Sequence, residues 1–204
     1  MLERALSAPD TSVYLLLAGA LLALLALVGL LVRRFLQRRR RNIDRRLRHS
    51  CQGVLANFVI PDGNGEEIQV QYALLTARGI IVIDIKDVEG HVFGSEAMQD
   101  WTVIADDRRF TFPNPQPGLW DRVAAVKRLA PESPVTGFVA FSGRAQFTKG
   151  QPKSVMLLEP LLEELEKEAG GTRSVADGYL LAWERLRQAA IAARMDHLLT
   201  VSSR

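Results

Sequence analysis

Cysteine is nearly absent: Cys51 stands alone among 204 residues, which excludes an intrachain disulfide and any cysteine-rich zinc site. Histidine is almost as scarce, and His49, His91 and His197 show no metal-ligand spacing. No glycine-rich phosphate loop, Gly-x-Ser-x-Gly elbow or His-Glu-x-x-His motif occurs, which removes several common enzyme classes. Residues 13–32, VYLLLAGALLALLALVGLLV, lack charge altogether. The formal net charge of +3 does not describe a basic globular surface, because nine arginines and one acid, Asp44, crowd into residues 33–48. With that run set aside, the remainder from His49 onward is mildly acidic, so global charge gives no argument for a DNA-binding face.

The uncharged run is long enough to matter. Twenty helical residues at about 1.5 Å each span roughly 30 Å, the thickness of a bilayer's hydrocarbon core. The run is too long for a signal peptide, lacks a positively charged leader, and is followed by arginines rather than a cleavage site. It is expected to be a single transmembrane helix. Arginines placed directly after it are expected to stay cytoplasmic, leaving the N-terminus outside and the rest of the chain in the cytoplasm at the cell membrane. The same basic segment is a candidate surface for anionic lipid headgroups, and a lone free Cys51 suits a reducing compartment.

Beyond the basic run the patterning changes to short strands and helices. Residues 53–60, 68–75 and 80–86 read as strands, the last two joined by the turn TARG at 76–79. A hairpin with that turn pairs Leu75 with Ile80, and in unbroken register Gln71 with Asp84 and Gln69 with Lys86. Further short strands are expected at HVFGS, WTVIAD and RRFTF, then a helix over 119–129, a buried strand at 135–142 and another at 154–158. A short acidic helix, a linker at 170–174 and a final helix over 175–199 close the chain. Tyr179, Leu180, Trp183, Leu186 and Ala190 form an apolar stripe for docking that helix. Trp101 and Trp120 are both expected in the core, and His91 as a surface or packing residue rather than a general base. The fold class is therefore mixed α/β. The expected organisation is a short segment at 1–12, a transmembrane helix at 13–32, a basic juxtamembrane segment at 33–48, an α/β domain at 49–169, and a linker with a C-terminal helix at 170–204.

The strand GIIVIDIK raises the sharpest question. Side chains alternate along a strand, so Ile80, Val82, Asp84 and Lys86 share one face while Ile81, Ile83 and Ile85 share the other. Both faces are apolar, and a charged pair in such a strand is costly unless it is paired or useful. Read structurally, Asp84 and Lys86 form a partly buried ion pair at the edge of the core, with Gln71 hydrogen-bonded to the carboxylate.

The run VQYALLTARGIIVIDIKDVEGHVFG, with Trp101 and the Asn114–Pro115 step, resembles the nuclease-related domain (NERD) family over roughly residues 50–158. That family is similar in turn to restriction-endonuclease-like folds of the PD-(D/E)xK type. The resemblance implies a site with one acid on the first hairpin strand and an acid-x-lysine on the second. Asp84 and Lys86 match the last two positions, as metal ligand and as the catalytic, phosphate-facing lysine. Gln71, a neutral amide, stands where the first acid belongs, and Gly118 stands about where a glutamine is usual. An intact site of this kind would use Mg²⁺, which takes oxygen ligands at about 2.0–2.1 Å and activates a bound water; an inactive one would use no cofactor. Three functions are consistent with these residues. One is a degenerate, non-catalytic or weakly active module that binds nucleic acid or protein. The second is an active Mg²⁺-dependent nuclease, and the third a membrane-surface adaptor that holds anionic lipid through its arginines.

Overall fold

The computed structural model describes residues 11–170, 175 and 177–202. Residues 1–10 and residues 171–174 of the expected linker lie outside the described set. The chain divides into two compact units, residues 1–45 and 46–204.

The first unit is helical. Helix α1 (Thr11–Ser50) runs without a break through the apolar stretch and the arginines. Every described side chain from Leu17 to Arg38 is exposed. By length and composition this helix can cross a membrane.

The second unit begins within the last turns of α1 and is built on two sheets. The larger combines β1 (Gly53–Pro61), β2 (Glu67–Thr76), β3 (Gly79–Lys86), β7 (Val135–Phe141) and β9 (Val155–Leu157) in the order β1-β2-β3-β7-β9. β1, β2 and β3 are antiparallel neighbours, and β7 pairs parallel to both β3 and β9. The smaller sheet takes β4 (Gly90–Phe93), β5 (Asp100–Ala105), β6 (Arg108–Pro113) and the two-residue β8 (Ala145–Gln146) in the order β6-β5-β4-β8. Three helices complete the unit: α2 (Pro115–Leu129), α3 (Leu158–Ala169) and α4 (Asp177–Ser202). The mixed α/β class is as expected; β8 is the one strand the patterning did not signal, being too short to alternate.

The large sheet is buried on both faces. Ala73, Leu75, Ile80, Val82 and Val139 join Leu119 and Val126 of α2 and Leu186 of α4 in one core. On the other side of the pleat Leu74, Ile81, Ile83 and Ala140 are buried as well, and α3, which lies against β7 and β9, buries Leu158, Leu161, Leu162 and Leu165. Each buried Val, Leu or Ile side chain among them contributes about 1.5–3 kcal/mol on leaving water. Leu47, in the last turns of α1, is 1% exposed, and the neighbouring Arg46 pairs with Glu159 and Glu166 of α3. The end of the arginine run is thus part of the folded unit.

Two expectations about aromatic and helical faces need correction. Trp101 is fully buried, but Trp120 on α2 is 46% exposed. On α4, Leu180 is exposed, and the buried line runs through Ala182, Leu186, Ala190 and Ala193. Small alanines let α4 approach β1 closely, and a Cβ at Gly53 would lie 2.6 Å from the Trp183 ring. A stripe chosen for large apolar residues picks Leu180 over Ala182, and close helix–sheet approach favours the reverse.

Candidate functional site

The site sits at the C-terminal end of β3. The hairpin that carries it is fixed at its turn: Gly79 has φ +125 and its amide region abuts Pro134, whose carbonyl accepts from Ile80 N–H at 2.9 Å. A Cβ at Gly79 would lie 2.3 Å from that carbonyl oxygen, so only glycine closes this turn. Leu75 pairs with Ile80 as the sequence predicts, and pairing continues as far as Tyr72 with Ile83.

There the ladder ends, which corrects the expected Gln71–Asp84 and Gln69–Lys86 pairs. Beyond Ile83 the Gln71 side chain replaces a backbone partner, its Oε1 accepting a hydrogen bond from Ile85 N–H at 2.6 Å. The other neighbour of β2 is disturbed at the same level. Asn57 of β1, across from Gln71, has φ +50 and is skipped in a register that runs from Ala56–Tyr72 to Phe58–Val70. Asparagine is among the few side chains that tolerate this backbone region.

Asp84 is 4% exposed. Its partner is Arg122 of α2, with Nη1 3.1 Å from Oδ2. The pairing of Asp84 with Lys86, expected on structural grounds, is not formed among the described residues. Arg122 is itself held in place: Nε donates to the Gln69 carbonyl at 2.7 Å and Nη1 to the Gly118 carbonyl at 2.5 Å. One guanidinium therefore joins β2, β3 and α2. Gly137 of β7, whose Cβ would lie 2.6 Å from Val123, lets α2 come close enough for that reach.

Lys86 ends β3, half-buried, alongside Phe141 in the parallel register. Its carbonyl accepts from Ser142 N–H, and no carboxylate among the described residues pairs with its ammonium. Phe141 belongs to an aromatic group with Trp101, stacked at 6.0 Å, and Phe147, edge-on at 5.1 Å. The Gly94–Trp101 features are part of this scaffold: the indole lies over Gly94, and its Nε1–H donates to Ser95 carbonyl. Asn114 caps α2 through Oδ1, which accepts from Gln116 N–H, and so the helix starts at Pro115, earlier than expected. Gln116 is buried there, donating to the Lys153 carbonyl, while Gly118 contributes its carbonyl to Arg122.

The donor set does not fit a divalent metal. Mg²⁺ binding needs several free oxygens, usually with more than one carboxylate nearby. Asp84 is held by a guanidinium, the Gln71 oxygen is held by Ile85, and among the described residues no group of three acidic, histidine or cysteine side chains could hold a metal ion. Asp87, the next acid along, pairs with Arg144, as does Glu89. Those residues border a cavity of about 910 Å³ on the smaller sheet, lined also by His91, Arg108, Arg109 and Phe110. The sequence pattern gave no sign of this groove, because its walls come from separate strands.

The chain is 26% identical over 89 residues to an uncharacterized protein of Bacillus anthracis, covering 43% of this chain and 42% of that protein, so it spans less than half of its relative's length. No solved structure matches it significantly. The family model for the nuclease-related domain matches residues 33–142, more than half of the chain and including the arginine run, and the protein belongs to that NERD family.

Proposed function

We propose that this protein is a membrane-anchored, cytoplasmic member of the nuclease-related family that works as a non-catalytic interaction module for nucleic acid or protein. The observation that carries the reading is the state of the two key polar groups. The Asp84 carboxylate is neutralised by Arg122, and the Gln71 carboxamide oxygen is occupied by the Ile85 amide. Phosphodiester hydrolysis by a metal-dependent site needs those oxygens to face a cation and a water. Among the described residues no carboxylate pairs with the Lys86 ammonium, which supports contact with a phosphate without chemistry at it. The anchoring half of the reading is supported by the length of α1 and by the arginines that follow its apolar part. Those arginines also suit a negatively charged headgroup layer.

The test uses the full chain in a non-ionic detergent. It is incubated with single-stranded DNA, double-stranded DNA and RNA in the presence of Mg²⁺ or Mn²⁺, beside an Asp84→Ala variant. No cleavage above that of the variant is expected. Cleavage that both EDTA and Asp84→Ala abolish would overturn the reading and restore the nuclease.

A further inference from the structure

We propose that the open edge of β6 is a docking site for an extended acidic segment of a partner protein, added as a fifth strand beside the four of the smaller sheet. The inference goes beyond the Asp84 site and rests on the interaction-module reading, for which it names a partner chemistry.

β6 (Arg108–Pro113) stands at the end of the order β6-β5-β4-β8 and, among the described residues, pairs with β5 alone. A strand in that place turns backbone N–H and C=O groups away from its sheet, a template on which another chain can pair. Its side chains are as open as its backbone: Arg108, Arg109, Phe110 and Thr111 are exposed without interruption. Phe110 is 46% exposed although Val103, its partner across the ladder, is fully buried. An aromatic ring left in water at a sheet edge has apolar area to bury against an added strand.

Charge gives the partner its sign. Among the described residues no carboxylate pairs with Arg108 or Arg109. Successive residues of a strand point to opposite faces, so the two guanidiniums flank the edge on both sides. Residues directly opposite one another across two strands interact, and opposite charges there are favourable. Read antiparallel, the run Arg-Arg-Phe-Thr-Phe is therefore matched by Val-Thr-Val-Glu-Glu: adjacent acids against the arginines, and β-branched apolar residues against Phe110 and Phe112. A phosphate chain suits this edge less well, since it offers no strand to complete a ladder. Asp106 and Asp107, in the turn just before β6, would repel a polyanion. Across the groove that Arg108, Arg109 and Phe110 border, Asp87 and Glu89 share the single cation Arg144. A peptide can confine its acids to the two arginines and stay neutral elsewhere.

The experiment measures fluorescence anisotropy of labelled probes against the full chain in non-ionic detergent. The probes are Val-Thr-Val-Glu-Glu flanked by serines, the same peptide with Lys-Lys in place of Glu-Glu, and a single-stranded oligothymidine. Two further forms of the Glu-Glu peptide carry methyl groups on one or the other alternate set of backbone nitrogens. The Glu-Glu peptide should bind and slow amide hydrogen exchange in β6, and the Lys-Lys peptide should bind about tenfold more weakly or less. Only every second N–H of an added strand faces its neighbour, so one methylated form should lose binding and the other keep it. Arg108→Glu/Arg109→Glu changes exposed positions, should melt as wild type does, and should reverse the preference between Glu-Glu and Lys-Lys. Failure of the Glu-Glu peptide to bind would overturn the proposal, the arginines then serving only to guard the edge. So would equal binding of the Lys-Lys peptide, equal behaviour of the two methylated forms, or binding that leaves β6 unprotected. Oligothymidine that binds more tightly than the Glu-Glu peptide, and is lost in Arg108→Glu/Arg109→Glu, would overturn it as well and assign the edge to nucleic acid. None of these results touches the non-catalytic reading, which cleavage assays decide at Asp84.

Discussion

The Gln71 side chain accepts the Ile85 amide hydrogen bond at 2.6 Å, at the level where backbone pairing between β2 and β3 has stopped. A side chain is completing a ladder that two backbones have left open. The amide it satisfies is part-buried, and an unmade bond to such a group costs about 1–3 kcal/mol. Gln71→Ala is expected to destabilise the chain by about that amount. Gln71→Glu keeps an acceptor at the same reach and should cost less. Gln71→Asp, one methylene shorter, should resemble alanine. Chemical denaturation of the three variants in detergent checks the order, and a silent Gln71→Ala would show that water replaces the amide.

Gly94 offers a second test, of packing rather than hydrogen bonding. A Cβ there would stand 2.2 Å from the Trp101 ring, which is fully buried and stacked on Phe141. Forcing extra volume into such a core typically costs about 1–3 kcal/mol. Gly94→Ala should lower stability by that order and shift the tryptophan emission to the red, while Gly143→Ala, with open space around it, should do neither.

Leu47 lies inside the arginine run but is buried with the folded unit. Leu47→Ala should destabilise that unit by about 2–5 kcal/mol, as large-to-small changes in cores do. Arg41→Ala, at an exposed position a few residues earlier, should have little effect. Soluble fragments should follow the same division: one starting at residue 46 is expected to fold with higher stability than one starting at 49, as circular dichroism melts would show.

Cys51 carries a pH prediction. Burial, with a smaller push from the charge of Glu168, raises its thiol from an ordinary value near 9.0 to about 12. A raised folded-state value means the folded chain favours the neutral thiol, so this contribution to stability is complete below about pH 9 and is lost as pH climbs toward 12. Unfolding midpoints of wild type should therefore fall over that range more steeply than those of Cys51→Ala. Alkylation by iodoacetamide at pH 8 should be slow in the folded chain and fast in denaturant. Rapid labelling of the native chain would refute the assignment.

The anchoring proposal has a simple readout. A reporter active only in the cytoplasm should be active when fused after Arg204 and silent when fused before Met1. Replacing Arg33, Arg34 and Arg38–Arg41 by neutral residues should weaken that preference, because positive charge beside the span sets its direction.

Much of the fold was legible because it rests on local signals. The TARG turn and the two-faced apolar strands specified the hairpin and its Leu75–Ile80 pairing, and the apolar stripe of 119–129 specified a helix, though not its start at Pro115. The centre of the site was not legible, for a physical reason. Asp84 stands out as a charge in an apolar strand, but its partner lies on a helix distant in sequence, in a stretch where Arg122 reads as one of several surface charges. Nothing in the pattern of β2 and β3 announces that their pairing ends at Ile83, since Gln71 and Asp84 continue the alternation. Ala182 and Ala193 were passed over for Leu180 because hydrophobicity ranks size, and the gap between α4 and β1 rewards smallness.

The guanidinium that joins β2, β3 and α2 also shapes the routes open to descendants of this chain. An aspartate introduced at position 71 would be too short to keep the bond to Ile85 and would add a second acid near a carboxylate already held by Arg122. Loss of Arg122 alone would strand a buried charge. Each of these single changes is thus expected to lower stability. The two polar groups at the end of β3 are locked by their own partners, the carboxylate by a helix and the strand end by a side chain.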